Sequence, residues 1–356
     1  MSDSKFKIEF TLKQHTPIIH FQSDQKGATL RATELKPKLD RFLLEHVEGI
    51  PFKENANGHR SLDYKVKIEA NQSEKSKYQT HIPTRDRNNP TLKEGSYFGE
   101  DKAIKSANVK VHFFAFNETI FNAIEKYFNE FIAISSFGTR NNKGFGNFTN
   151  IITDEESFKQ FLLNHYTIVS SKSDNYPLKR ILRDYQKLKS GGRNGVKSNL
   201  MEYFYPDIRW EKRWIKRMLK EKKEDWFRDL KDEYHQENDF NFNDDEKYFF
   251  VRALLGLAEQ NEFLVNSDRE DKLIVKIENI DSDKTIERYP SPIIFKVFNN
   301  KIYTLIKKNE PMNTNIFNKS FKFTAYYKKN KTNIVELGTL KTPSSFDIKS
   351  FLREVL

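Results

Sequence analysis

Val109–Ile152 reads VKVHFFAFNETIFNAIEKYFNEFIAISSFGTRNNKGFGNFTNII and changes its period twice. Val109, Val111 and Phe113 alternate with Lys110 and His112, the pattern of a half-buried strand. Ile120, Phe121, Ile124, Phe128, Phe131 and Ile132 then recur on one side of a helix. Phe137–Gly146 places three glycines in ten residues, and a short strand around Phe148–Ile152 follows. The segment is therefore strand, helix, glycine-rich loop, strand.

Working outward, Phe6, Ile8, Phe10 and Leu12 alternate with Lys7, Glu9 and Thr11 as a first strand. Leu35, Leu39, Phe42 and Leu43 predict a helix from about Glu34 to Val47, with Thr33 as cap and Pro37 in the first turn. A second strand runs from Leu62 through Tyr64, Val66 and Ile68. Residues 71–106 carry no clear period and include Pro83, Pro90, Gly95 and Gly99, which predicts a long loop or extended hairpin. The order strand, helix, strand, strand, helix, strand is the split βαβ (ferredoxin-like) arrangement. Right-handed crossovers put both helices on one sheet face and leave the other open.

Beyond Thr153 the pattern shifts. Glu155 to about Leu257 reads mostly helical, broken near Ser190–Gly195. Strands return at Leu273–Ile277, at a hairpin turned on Asn299-Asn300, at Phe321–Tyr327 and at Asn333–Leu337, before a closing helix over Phe346–Leu356. The expected organisation is α+β throughout. An N-terminal domain over 1–153 is followed by a second α+β domain over 154–356 with a helical region at 155–257.

Composition narrows the function classes. The 356-residue chain has no Cys, which excludes disulfides, thiolate metal sites and cysteine nucleophiles and fits a reducing cytoplasm. Its N-terminus has no apolar leader core, and no apolar run approaches a membrane span. The 31 Phe residues supply a core despite the high charge. The net charge of +11 is segregated. Lys172–Lys231 holds 18 basic against 9 acidic residues, a net of +9, and Asp232–Asp283 holds 5 against 15, a net of −10. The first block suits a phosphate backbone, the second solvent or a basic protein partner.

Three basic features are candidate RNA contacts. In the glycine loop, Gly138, Gly144 and Gly146 let backbone approach a ligand and expose its amides, while Arg140 and Lys143 add charge. Phe145 can stack on a base or anchor the loop to the core. The same residues also read as a helix C-cap at Gly138 and a tight turn. Arg31, Lys36 and Arg41 lie near the start of the first helix, where anions are favoured, or else mark an ordinary solvated helix start. Arg193 and Lys197 sit in Ser190–Ser198, ahead of a basic helix on which Trp210, Trp214 and Met218 share a face suited to core packing. His15, His20 and His59 are the candidate general bases for RNA cleavage, and none lies in a recognised motif. His and carboxylates show no metal-ligand spacing, and Asp244-Asp245-Glu246 reads as a helix start. No cofactor is expected.

The glycine loop resembles the signature of RAMP proteins, the RNA-binding subunits of CRISPR systems. Four segments in order resemble the first subunit of the Cmr (type III-B) effector complex. They are Thr16-Pro17 with Leu30-Arg31-Ala32 to Leu35-Lys36, then Gly138–Gly146, then Ala253-Leu254-Leu255-Gly256-Leu257, and finally Glu287-Arg288-Tyr289-Pro290-Ser291-Pro292. Pro37 stands where that family usually has Gly, and Phe42-Leu43-Leu44 where it tends to have aromatics. The resemblance implies two ferredoxin-like domains and a place near the guide RNA end opposite its 5′ tag, beside other RAMP subunits. It implies guide and target RNA as partners and no catalysis in this subunit. A RAMP-type endoribonuclease and a protein scaffold using the acidic block are the alternative readings.

Overall fold

The structure is a computed structural model. It describes residues 6–19, 29–70, 103–104, 106, 108–191, 198–205, 207–222, 248–257, 260–264, 272–281, 289–310, 312, 314–327 and 330–356. The chain is α+β and divides into two compact units. One is Met1–Leu182 with Ile294–Lys308, the other Arg183–Ile293 with Asn309–Leu356.

The first unit begins with β1 (Lys7–Gln14) and the two-residue β2 (Ile18–Ile19), followed by α1 (Ala32–His46). Then come the small hairpin β3 (Lys53–Glu54) and β4 (Arg60–Ser61), β5 (Lys65–Ala70), β6 (Ala103–Ile104) and β7 (Val109–Phe114). α2 (Glu118–Ile134), β8 (Phe148–Asn150), α3 (Glu155–His165), β9 (Tyr166–Ser173) and α4 (Pro177–Ser190) complete its first stretch. The main sheet has the order β5-β7-β1-β8 and is antiparallel at every pairing. Its core face follows from alternation: Phe10, Leu12, Val109, Val111 and Phe113 are buried, and their neighbours point the other way. Phe128 of α2 meets Phe10 at 4.4 Å and Phe113 at 4.9 Å between ring centroids. Burial of a Phe of this kind contributes about 1.5–3 kcal/mol. Asn117 caps α2 by accepting from Ile120 N–H at 3.1 Å, and Asp154 caps α3 by accepting from Ser157 N–H at 2.7 Å.

The first helix departs from expectation at its start. It opens at Ala32, with Arg31 rather than Thr33 at the cap position and no side-chain cap bond. Pro37 consequently lies in the second turn, where its ring removes a donor from the helical ladder. Residues 155–257 are less helical than expected, because β9 interrupts them.

The second unit holds the end of α4, then α5 (Asn199–Phe204), β10 (Arg209–Trp210), α6 (Glu211–Glu221), β11 (Tyr248–Phe249), β12 (Gln260–Leu264) and β13 (Lys272–Asn279). The hairpin β14 (Ile294–Phe298) and β15 (Lys301–Lys307) belongs to the first unit. There β15 pairs with β9, in the order β14-β15-β9. Asn299 makes its turn with φ +53°, as the Asn-Asn signal predicts. The chain re-enters the second unit for β16 (Ser320–Tyr327), β17 (Asn330–Lys341) and α7 (Ile348–Val355). Its larger described sheet runs β12-β13-β16-β17 in chain order, and β10 and β11 form a separate parallel pair. Trp210 and Trp214 are buried, in keeping with the core reading, and Trp214 packs on Phe323 at 5.5 Å.

The expected boundary at 153 follows the end of the main sheet at Asn150. The first compact unit extends past it to Leu182 and takes in residues 294–308.

Candidate nucleic-acid interface

The glycine loop is bound on three sides within the first unit. On one side lies the Thr16–Ile19 segment. Gly146 N–H donates to Pro17 O at 2.9 Å, Thr139 N–H to Ile19 O at 2.8 Å, and Asn147 N–H to Thr16 Oγ1 at 3.0 Å. On the second side is α1: Gly138 N–H donates to both carboxylate oxygens of Glu34, at 2.9 and 3.1 Å. On the third side is β14. Phe295 N–H donates to Asn142 O at 3.0 Å, and Val297 N–H to Asn147 Oδ1 at 2.9 Å.

The loop is also closed on itself. Phe137 N–H donates to Gly146 O at 3.0 Å, Lys143 N–H to Arg140 O at 2.8 Å, Gly144 N–H to Asn141 O at 3.3 Å, and Asn142 N–H to Asn141 Oδ1 at 2.8 Å. The amides of Phe137, Gly138, Thr139, Asn142, Lys143, Gly144 and Gly146 are thus spent inside the protein, and most of the loop backbone is no open anion cradle. The glycines serve that packing. A Cβ on Gly146 would lie 1.9 Å from Phe137 O, one on Gly138 2.6 Å from Ile19 O, and one on Gly144 2.7 Å from Ile181 Cδ1. All three have positive φ.

The side chains divide accordingly. Phe145 is fully buried, so of its two possible roles the structure shows the anchor; the ring presents no face on which a base could stack. Thr139, Arg140, Asn141, Asn142 and Lys143 form the half-exposed tip, with Arg140 in the left-handed region at φ +57°. Burial, and then the charge of Arg140, hold the Lys143 ammonium below the usual lysine range.

Beneath the tip, two lysines meet the C-terminal end of α2, where carbonyls lack helical partners. Lys38 Nζ donates to Ser136 O at 2.8 Å, and Lys296 Nζ donates to Ser135 O. Lys38 also pairs with Glu34 at 2.7 Å and lies 4.8 Å from the Phe137 ring centre. Lys296 is fully buried; burial first and the Lys38 charge second push its ammonium well below the ordinary range.

The other expected contacts do not all converge here. Arg31 is half-buried at the first turn of α1, one turn from Glu34. Lys36 turns elsewhere: its ammonium donates to Asp40 at 2.7 Å and Leu62 O at 2.9 Å and lies 4.2 Å from the Tyr64 ring centre. Arg41 is exposed. Arg193, Lys197, His20 and Asp244–Glu246 lie outside the described residues. The residues missed in the sequence are Glu34, Lys38, Asn147 and Lys296. The i,i+4 spacing of Glu34 and Lys38 was a visible signal; Lys296 had none, because its partner lies 161 residues away.

His15 is a buried core residue. Asn299 N–H donates to Nδ1 at 2.9 Å, which makes Nδ1 the acceptor and leaves Nε2 to donate to Thr149 Oγ1 at 2.8 Å. His59 lies exposed in the β3–β4 turn. Among the described residues no three His or carboxylate groups gather as metal ligands.

In the second unit Leu257 N–H donates to Tyr289 O at 2.9 Å, and Gly256, at φ +111°, backs onto Ser291. Tyr185 Oη donates to Leu255 O, and Lys189 Nζ to Gly256 O. Two sequence segments far apart in the chain thus meet in each unit. A family model of the Cmr1 N-terminal domain matches residues 5–192, and one of the Cmr1 C-terminal domain matches residues 195–356. The chain belongs to the Cmr1 family. Cmr1 is a RAMP-type subunit of the Cmr complex of type III-B CRISPR systems. No curated protein matches the chain. No described helix is long and apolar enough to cross a membrane. In this Cmr1 chain the family-like segments pair two by two, Thr16-Pro17 and Leu30–Lys36 with the glycine loop, and Ala253–Leu257 with the Tyr289–Pro292 part of the last.

Proposed function

We propose that this chain is a non-catalytic RNA-holding subunit of a cytoplasmic type III-B antiviral complex. It contacts guide RNA, target RNA or both near the guide 3′ end, beside neighbouring RAMP subunits. The observation that carries this reading is the loop tip. Arg140 and Lys143 stand on one tight turn, closed by Lys143 N–H donating to Arg140 O at 2.8 Å, on a backbone fixed by Thr16–Ile19, Glu34 and β14. A phosphate lying between two like charges relieves their repulsion, and a fixed backbone loses little entropy on binding. The contact is therefore made by side chains, with sequence left to guide–target pairing.

The topology of the first unit supports the ferredoxin-like reading, whereas the second unit's sheet β12-β13-β16-β17 runs in chain order. The order β5-β7-β1-β8, with α1 and α2 as crossovers, is the split βαβ order of the N-terminal domain. The sheet β14-β15-β9 carries three strands of the same arrangement, with residues 177–293 inserted between its first strand and its hairpin. The commitment of both His15 nitrogens favours this reading over an endoribonuclease using that residue.

The test is RNA affinity against salt for Arg140→Ala with Lys143→Ala. Losing two phosphate contacts lowers the log–log salt slope by about 2. An unchanged affinity and slope remove the loop from the interface.

A further inference from the structure

The helices cover one face of the main sheet, and the opposite face carries a row of side chains that the loop-based function does not use. Pairing registers place Lys65 of β5, Phe114 of β7 and Lys7 of β1 side by side. The alternating burial of β7 puts Phe114 on the face away from buried Phe113. Among the described residues the Lys7 and Lys65 side chains make no close ion pair or hydrogen bond; Lys7 acts on Glu9 and Lys65 on Asp63 only at longer range. The other lysines of this face differ: Lys67 pairs with Glu69 and Lys110 with Glu9.

Next to that row stands an aromatic cluster in water. Phe116 is 73% exposed, with its ring centre 4.9 Å from Phe114 and 5.4 Å from Phe6. Phe114 and Phe116 form one wall of a cleft of about 480 Å³. Phe52, Lys53, Asp63 and Lys65 line it as well, with Lys53 paired to Asp63 at 2.8 Å, and Tyr64 and Ile120 contribute apolar surface. A ring so exposed is unfavourable in water unless something covers it. Lys7 and Lys65 flank Phe114 of this cluster one strand away on either side, a spacing of about 4.8 Å per strand. A protein partner's apolar side chain would explain the rings but not the two flanking lysines that lack a close ion pair. A nucleotide explains both, since its base is apolar and flat and its phosphates are anionic.

We propose that the open sheet face at its β5–β7–β1 edge is a second RNA contact, distinct from the glycine loop. An unpaired base stacks on Phe116 and Phe114 at the cleft mouth, and the flanking phosphates lie on Lys7 and Lys65. The ligand class is single-stranded RNA, read by stacking and charge rather than by base identity. This inference rests on the RNA-holding function proposed above and assigns it a second surface.

The experiment measures binding of fluorescent ten-nucleotide oligouridylate and oligoadenylate to the full chain as a function of salt. It is run on wild type, Phe116→Ala, Lys7→Gln with Lys65→Gln, and the loop variant Arg140→Ala with Lys143→Ala. Ultraviolet crosslinking with peptide mapping accompanies it. Phe116→Ala is expected to weaken binding about ten-fold with the salt slope unchanged. The lysine pair should lower the slope by about 1.4, and adducts should map to the peptide carrying Phe114 and Phe116. Phe116 is largely exposed, so its truncation leaves the fold intact. Sheet variants that bind like wild type while the loop variant is weakened overturn the inference and leave the proposed function standing. Wild type that binds neither oligonucleotide overturns both. Sheet variants with unchanged RNA affinity that fail to associate with other complex subunits overturn it in favour of a protein contact.

Discussion

Glu34 and Gly138 lie 104 residues apart, and the Glu34 carboxylate accepts the Gly138 N–H on both oxygens, at 2.9 and 3.1 Å. This one acceptor joins the first turn of α1 to the root of the glycine loop and draws Lys38 to the same place at 2.7 Å. The family's helix segment and its loop are therefore a single structural object. A backbone donor held by a charged acceptor is worth about 1.5–3 kcal/mol.

Glu34→Ala should therefore destabilise the first unit by about 2 kcal/mol and weaken RNA binding through a loosened loop. Glu34→Gln, which keeps an acceptor, should recover most of the stability. Urea melts and RNA titrations of the two variants check this. Equal stability for Ala and Gln would remove the carboxylate–amide bond from the account.

Two glycines with similar backbone angles should respond very differently to alanine. Gly146, at φ +62°, has Phe137 O 1.9 Å from the Cβ position, whereas Gly49, at φ +70°, has nothing within 4 Å. Gly49→Ala should cost only the left-handed penalty of about 1–2 kcal/mol. Gly146→Ala must also displace backbone and should exceed 3 kcal/mol or prevent folding. Thermal melts of the pair decide whether close approach or conformation sets the requirement for glycine.

Lys296 should leave a signature in stability against pH. Its folded-state pKa is depressed, so between that value and the ordinary lysine value the unfolded chain binds more protons than the folded one. Stability contributed at this site then rises with pH through that window and is flat on either side. Lys296→Met removes the titration. The stability difference, wild type minus variant, should grow from neutral towards alkaline pH. A difference independent of pH would mean that the ammonium is not held in a depressed state.

The first unit was legible in the sequence where burial alternates. β1 and β7 each bury every second side chain, and α2 buries one face, so period alone located them. β9 was missed because its residues are half-buried or exposed along the whole strand, which gives no alternation. The hairpin at Asn299-Asn300 was readable from its turn chemistry. Its destination was not, since pairing with β9 and contact with the glycine loop are set by partners more than a hundred residues upstream. The same limit applied within the loop. Its glycines announced close approach, but whether to a ligand or to the protein's own backbone was undecidable until Pro17, Ile19 and Phe295 were in place. Helix α1 starts at Ala32, ahead of the expected Glu34, and no side-chain cap at Arg31 marks that start in the sequence.

The return of residues 294–308 to the first unit has a consequence for synthesis. A growing chain can assemble the main sheet once β8 has emerged, yet the loop's third wall arrives only with β14, some 140 residues later. Until then the edge of β9 and the carbonyls of Ser135 and Asn142 have no partners from the hairpin, an exposed strand edge of the kind chaperones guard. For the same reason the seam between the two family domains, at residues 192–195, is no place to divide this protein. A first part cut there would carry every residue of the loop and lack the strand that seats it.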